Sequence, residues 1–129
     1  MIDFILSKCE EAIGKDNFLV TRNSNGILIL NFGEGCANFE LFESSKYWRD
    51  FKDSDRQCLV IRNIFLPEVF RGNGLLTSIV SETVNRGINI RLETVQNRRL
   101  EEWCLHNGFR KATLEKYDFD IAPNMIRGE

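Results

Sequence analysis

What this 129-residue chain has little of narrows its class first. It carries two prolines and one histidine. Four cysteines, Cys9, Cys36, Cys58 and Cys104, stand apart, with no C-x-x-C pair and no histidine cluster beside them. That pattern excludes the common zinc sites, and no metal is expected. No apolar run approaches the roughly 20 residues of a membrane helix, so no membrane partner is expected. The opening stretch is apolar but is broken by Asp3 and lacks the basic residues of a signal peptide. The expectation is a reducing, cytoplasmic compartment in which the thiols stay free. Charge of one sign is also missing. The formal net charge is −2, whereas a general nucleic-acid binder carries a basic excess. Mild acidity suits a basic or amine partner. Repeats, low-complexity tracts and linkers are absent, so the length predicts one domain with its own core.

What is present is organised around residues 58–76. Residues 58–66 form an apolar run rich in Val, Ile and Phe, which predicts a buried strand. Pro67 ends it, because proline has no N–H to give a sheet ladder. Phe70-Arg71-Gly72-Asn73-Gly74 then turns the chain. Leu75, Leu76, Ile79, Val80, Thr83 and Val84 follow on one helical face. A glycine turn feeding a helix has a chemical use. The first N–H groups of a helix lack partners inside it, and they carry partial positive charge. Glycine lets a ligand approach the backbone. An anion, most often a phosphate, fits such an end, and Arg71 adds a cation. The alternative is that Gly72-Asn73-Gly74 only turns the chain.

Around this unit, residues 2–15 predict a helix with Ile2, Ile5, Leu6, Cys9 and Ile13 on its inner face. Residues 18–22, 26–32 and 36–42 predict an antiparallel meander, with Asn25-Gly26 as a hairpin turn. Residues 45–52 predict a short helix capped by Ser45, with Tyr47, Trp48 and Phe51 inward. Residues 88–94 alternate as a strand does, and residues 97–107 predict a helix closed by Gly108-Phe109. Residues 111–113 and 115–121 predict the last two strands, and residues 123–129 a loose tail.

Two of these features occur in a telling order. The turn with Arg71 and Gly74 follows one strand. The helix opened by Asn97 follows the next, and Gly108-Phe109 closes it, with Gly108 eleven positions after Asn97. In this the chain resembles the GNAT superfamily of acyl-CoA N-acyltransferases, over about residues 58–112; the first third matches in outline. The family pairs an Arg-x-x-Gly-x-Gly/Ala turn with an Asn-x-x-Ala helix that ends in Gly-Phe. Here the last turn position is Leu76, and the alanine position is Leu100. The tyrosine that the family often carries four residues before the closing glycine is Cys104.

The resemblance implies a three-layer α+β fold. Its sheet is mixed and mostly antiparallel, with a central splayed pair of parallel strands and flanking helices. It implies acetyl-CoA as co-substrate and an amine, on a small molecule or a protein, as acceptor. It gives the pantetheine arm to Ile64, Phe65 and Leu66. It gives the pyrophosphate to Arg71, Gly72, Asn73, Gly74, Leu75 and Leu76, and a further cofactor hydrogen bond to Asn97. The acceptor attacks the thioester directly. Glu93, with Glu68 as the other near carboxylate, is the candidate base, and Cys104 the candidate donor to the departing thiolate. Plain alternatives stand beside each role: solvated charges for Glu93 and Glu68, a helix cap for Asn97, a core thiol for Cys104. His106 reads as a surface residue near a helix C-terminus. Two other functions stay open, a CoA-binding module without catalysis and a small interaction domain whose turn binds nothing. Acceptor and oligomeric state are not fixed by the sequence. The family's opening strand is not evident, and residues 18–22 are its candidate variant.

Overall fold

The computed structural model describes residues 1–23, 26–62, 64, 72–95, 97–113 and 123–129. In chain order the elements are α1 (Ile2–Ile13), a 3₁₀ turn (Lys15–Asn17), β1 (Leu19–Arg22), β2 (Ile27–Asn31), β3 (Cys36–Phe42) and β4 (Cys58–Arg62). Then come α2 (Leu75–Asn85), β5 (Asn89–Leu92), α3 (Arg98–His106), β6 (Arg110–Lys111) and β7 (Met125–Arg127). The described strands form one sheet in the order β1-β2-β3-β4-β5-β7-β6. β1 to β4 are an antiparallel meander. β4 and β5 are adjacent and parallel, with α2 between them in the chain. β7 runs antiparallel between β5 and β6.

The side-chain period of two in a strand sorts these residues onto two faces. Leu28, Leu30, Phe39, Leu59, Ile61, Ile90 and Leu92 join one core cluster. The apolar sides of α1 and α2 cover it through Ile5, Cys9 and Ile13, and through Leu75, Ile79 and Val80. Cys104 of α3 belongs to the same cluster. Cys58, Val60 and Ile126 face the other way, under Trp48 and Phe51. β4 is therefore buried on both faces, which is why its sequence is a continuous apolar run rather than an alternating one.

The expectations for residues 45–52 and for the tail change. Residues 45–52 form turns and bends, not a helix. Trp48 and Phe51 do pack inward, but Tyr47 is 82% exposed and stacks on Phe42. Ser45 is buried, yet its hydroxyl donates to the Arg56 carbonyl at 2.7 Å and accepts from Asn89 Nδ2 at 2.9 Å instead of capping a helix. The tail is not loose: Met125 and Ile126 are buried in β7, inside the sheet. The expected strand over residues 115–121 lies outside the described residues. Among the described residues no strand precedes α1, and residues 18–22 supply the edge strand β1 instead.

Candidate functional site

β4 and β5 keep register from Cys58 opposite Asn89 to Ile61 opposite Leu92. The last bond between them runs from Glu93 N–H to Ile61 O at 3.0 Å. Beyond it the two strands part. Thr94 N–H, on the β7 side, bonds Asn124 Oδ1 at 2.8 Å, and Val95 N–H, which a continued ladder would aim at β4, goes to Pro123 O at 2.8 Å. Thr94 has φ 55, the one positive value at a non-glycine among the described residues. For a β-branched residue that conformation costs on the order of 1–3 kcal/mol, and it persists only where surrounding contacts impose it.

The parting leaves a gap of about 150 Å³. Ile64, Leu92, Val95 and Leu100 give it apolar walls, and Glu93, Thr94 and Asn97 border it. Ile64 also lines a narrow apolar seam shared with Leu75 and Leu76, which links the gap to the start of α2. There Gly72 and Gly74 have φ 76 and 74. A Cβ placed on either would meet none of the described residues within 4 Å, which leaves the backbone open on their side. Asn73 Oδ1 takes the Leu75 N–H at 3.1 Å. The first bond of the helix proper runs from Ser78 N–H to Gly74 O at 2.9 Å. The N–H groups of Leu76 and Thr77 thus have no acceptor within the helix, and they lie at its positive end. Phe65, Leu66, Glu68 and Arg71 lie outside the described residues.

Asn97 is the cap of α3: its Oδ1 accepts from Arg99 N–H at 2.8 Å and Leu100 N–H at 3.4 Å. It borders the gap as well. Both helices therefore begin beside the carboxyl ends of the parallel pair, where ligands bind in open sheets of this kind. An apolar slot suits an extended aliphatic arm, and N–H groups at a helix start suit an anionic group such as a phosphate. The residues present fit both.

Among the described residues Glu93 is the charged group that borders the gap, and it is not solitary. Arg62 Nε donates to Glu93 Oε1 at 2.6 Å and Arg62 Nη1 to Glu40 Oε1 at 2.8 Å. Arg91 Nε sits 3.7 Å from Glu93 Oε2. Burial pulls the Arg62 pKa down, but the two carboxylates outweigh it and hold the group above its ordinary value. Cys104 is fully buried, and burial, with a smaller push from Glu101, raises its thiol to about 11. His106 is exposed, and its Nδ1 pairs with the Glu102 carbonyl at 2.7 Å. A larger groove of about 540 Å³ lies toward the β1 edge of the sheet, bordered by Asp3 and Arg22, and includes none of these groups.

Sequence reasoning missed Asn124 and the Glu40–Arg62–Glu93 chain. The available signal was charge inside strands: Glu40, Arg62 and Arg91 each interrupt an apolar run.

No family model matches the chain, and none of the curated proteins searched matches it by sequence. Solved structures do match. The Bacillus subtilis N-acetyltransferase YlbP, crystallised with Coenzyme-A, superposes with a TM-score of 0.53 at 14% identity, covering 96% of this chain and 78% of that one. Arabidopsis thaliana NAA60, in complex with a bisubstrate analogue, gives 0.52 at 15%, covering 81% and 75%. These likenesses are likenesses of fold. They agree with the GNAT-like mixed sheet and its splayed parallel pair.

Proposed function

We propose that the chain is an acyl-CoA N-acyltransferase, acting in the cytoplasm, that moves an acetyl group from acetyl-CoA to an amine by direct attack on the thioester. The observation that carries this reading is the parting of β4 from β5 beside an open glycine turn at the head of α2. The turn from Arg71 to Leu76 takes the pyrophosphate, and Ile64 with its neighbours Phe65 and Leu66 takes the pantetheine arm. Asn97, besides capping α3, offers its amide to the cofactor. The amine nitrogen bonds to the thioester carbon, the carbon–sulfur bond breaks, and sulfur leaves with the electron pair. The chain's part is to position both partners and exclude water. A protonated amine must first lose a proton. Glu93 is the carboxylate this reading assigns to that step, directly or through water.

Two observations favour a second reading, a CoA-binding module with little catalysis. Glu93 Oε1 is held by Arg62, Arg91 stands as a second cation 3.7 Å from Oε2, and the Cys104 thiol is buried. A single experiment separates the two. Acetyl-CoA titration by calorimetry, followed by CoA release over a panel of small amines, polyamines and peptide amines, gives binding and turnover if the enzyme reading holds. Binding without release over the whole panel favours the module. No binding sinks both.

A further inference from the structure

We infer that Arg62 is a positioning residue: braced by Glu40, it holds one oxygen of Glu93 and leaves the other, Oε2, as the atom that takes the proton of an ammonium acceptor. The inference rests on the acyltransferase reading for its functional half. Register places the pair. Ile61 and Leu92 are the last residues that β4 and β5 align, and Arg62 and Glu93 follow them directly. By the strand period of two, both side chains lie on the face of Val60 and Arg91. Arg62 therefore meets Glu93 where the strands begin to part, and Glu93 borders the gap while Arg62 and Glu40 stand off it. The guanidinium divides its donors. Nε–H goes to Glu93 Oε1 at 2.6 Å, and Nη1–H to Glu40 Oε1 at 2.8 Å. Carboxylates from the two strands that flank β4 thus fix one rigid fork.

A competing partner shows that this hold is selective. Arg91 precedes Glu93 by two residues on the same strand, and it is buried. Its Nε has no hydrogen-bond acceptor and stands 3.7 Å from Glu93 Oε2, beyond hydrogen-bond reach. A buried donor left without an acceptor is unfavourable, so a carboxylate free to swing would bring Oε2 onto Arg91. The bond from Arg62 to Oε1 opposes that movement. Oε2 is left beside a cation that does not bond it, on a residue that borders the gap. The proton of the ammonium passes to Oε2, directly or through one water, and the neutral amine then attacks the thioester. Arg62 touches none of the reacting atoms, so it acts through the placement of Glu93.

The test uses the full chain, acetyl-CoA and the best amine of the panel. Without ligand, the Arg62 Nε–H should exchange slowly with solvent by NMR, and Glu40→Leu should speed it at least about fivefold. In turnover, Arg62→Met should lower kcat at least about tenfold while the acetyl-CoA KM stays within about threefold. Glu40→Leu should lower kcat by less, and Glu40→Gln, which keeps an oxygen for Nη1, should recover most of that loss. Arg62→Met/Arg91→Met removes the hold and its competitor together, so its kcat should exceed that of Arg62→Met. Should Arg62→Met fold poorly, the two Glu40 variants decide. An Arg62 Nε–H that exchanges as fast as that of an exposed arginine overturns the hold. A kcat within about twofold of wild type in folded Arg62→Met, or equal losses in Glu40→Leu and Glu40→Gln, overturns the positioning role. A wild-type chain that binds acetyl-CoA but acetylates no amine overturns the acyltransferase reading and the proton role with it, a different failure that leaves the exchange result standing.

Discussion

A side chain can give or take a proton only where a partner can reach it, and Cys104 is sealed. Its thiol lies wholly within the core cluster, on the face of α3 that also carries Leu100. The i, i+4 spacing of those two residues made that packing readable in the sequence, whereas nothing local announced that Arg62 would bracket Glu93 from the neighbouring strand. Side-chain pairing across strands depends on register, and register is a property of the assembled sheet. From the burial follows an outcome for Cys104→Ala. Deleting a buried sulfur should cost about 1–2 kcal/mol and lower Tm by roughly 4–8 °C. Turnover with the best amine found should stay within about twofold of wild type. Thermal melting and steady-state kinetics on the same preparation decide the matter. A normal Tm with kcat reduced on the order of 10²-fold would instead make the thiol the proton donor.

At the scale of elements, legibility followed burial. β4 and α2 were plain, because a strand buried on both faces reads as an unbroken apolar run and a half-buried helix as a stripe. β7 was not, because three residues between Asn124 and Gly128 are too few to show a period. Residues 45–52 misled because Trp48 and Phe51 have helical spacing, yet Ser45 spends its hydroxyl on the Arg56 carbonyl. The turn before α2 is the element on which the cofactor reading can be tested apart from catalysis. Gly74 precedes the first residue of the helix at φ 74, a conformation that Asn and Asp tolerate better than other side chains. Gly74→Asn and Gly74→Asp therefore carry similar backbone strain and differ in charge. Against the Asn variant, the Asp variant should raise the acetyl-CoA Kd at least tenfold, about 1.4 kcal/mol, by setting a carboxylate against the pyrophosphate. Calorimetric titration of both, with circular dichroism to check the helix, measures it. Equal Kd values in two folded variants would take this turn out of the site.

For the molecule as a whole, the buried thiols tie stability to pH. Cys9, Cys58 and Cys104 are buried free thiols. Burial raises Cys9 and Cys58 from 9.0 to about 12 and Cys104 to about 11. Cys9 and Cys104 lie in the cluster that joins the helices to the sheet, and Cys58 in the cluster on the opposite face, so both layers share the dependence. The sign follows from proton counting. Below about pH 9 the thiols are protonated in folded and unfolded chain alike, and they contribute no slope. Above it the unfolded chain releases protons that the folded chain keeps, so stability falls as pH rises toward 11–12. Each thiol contributes at most about 1.4 kcal/mol per pH unit in that window. Urea unfolding at intervals from pH 7.5 to pH 10.5 should therefore show no thiol contribution below about 9 and a steepening loss above it. The assignment rests on a comparison. Cys9→Ala, less stable throughout, should lose stability more gently than wild type above pH 9, because one of the three released protons is gone. Parallel curves for the two chains would show that the alkaline loss arises elsewhere than in the buried thiols.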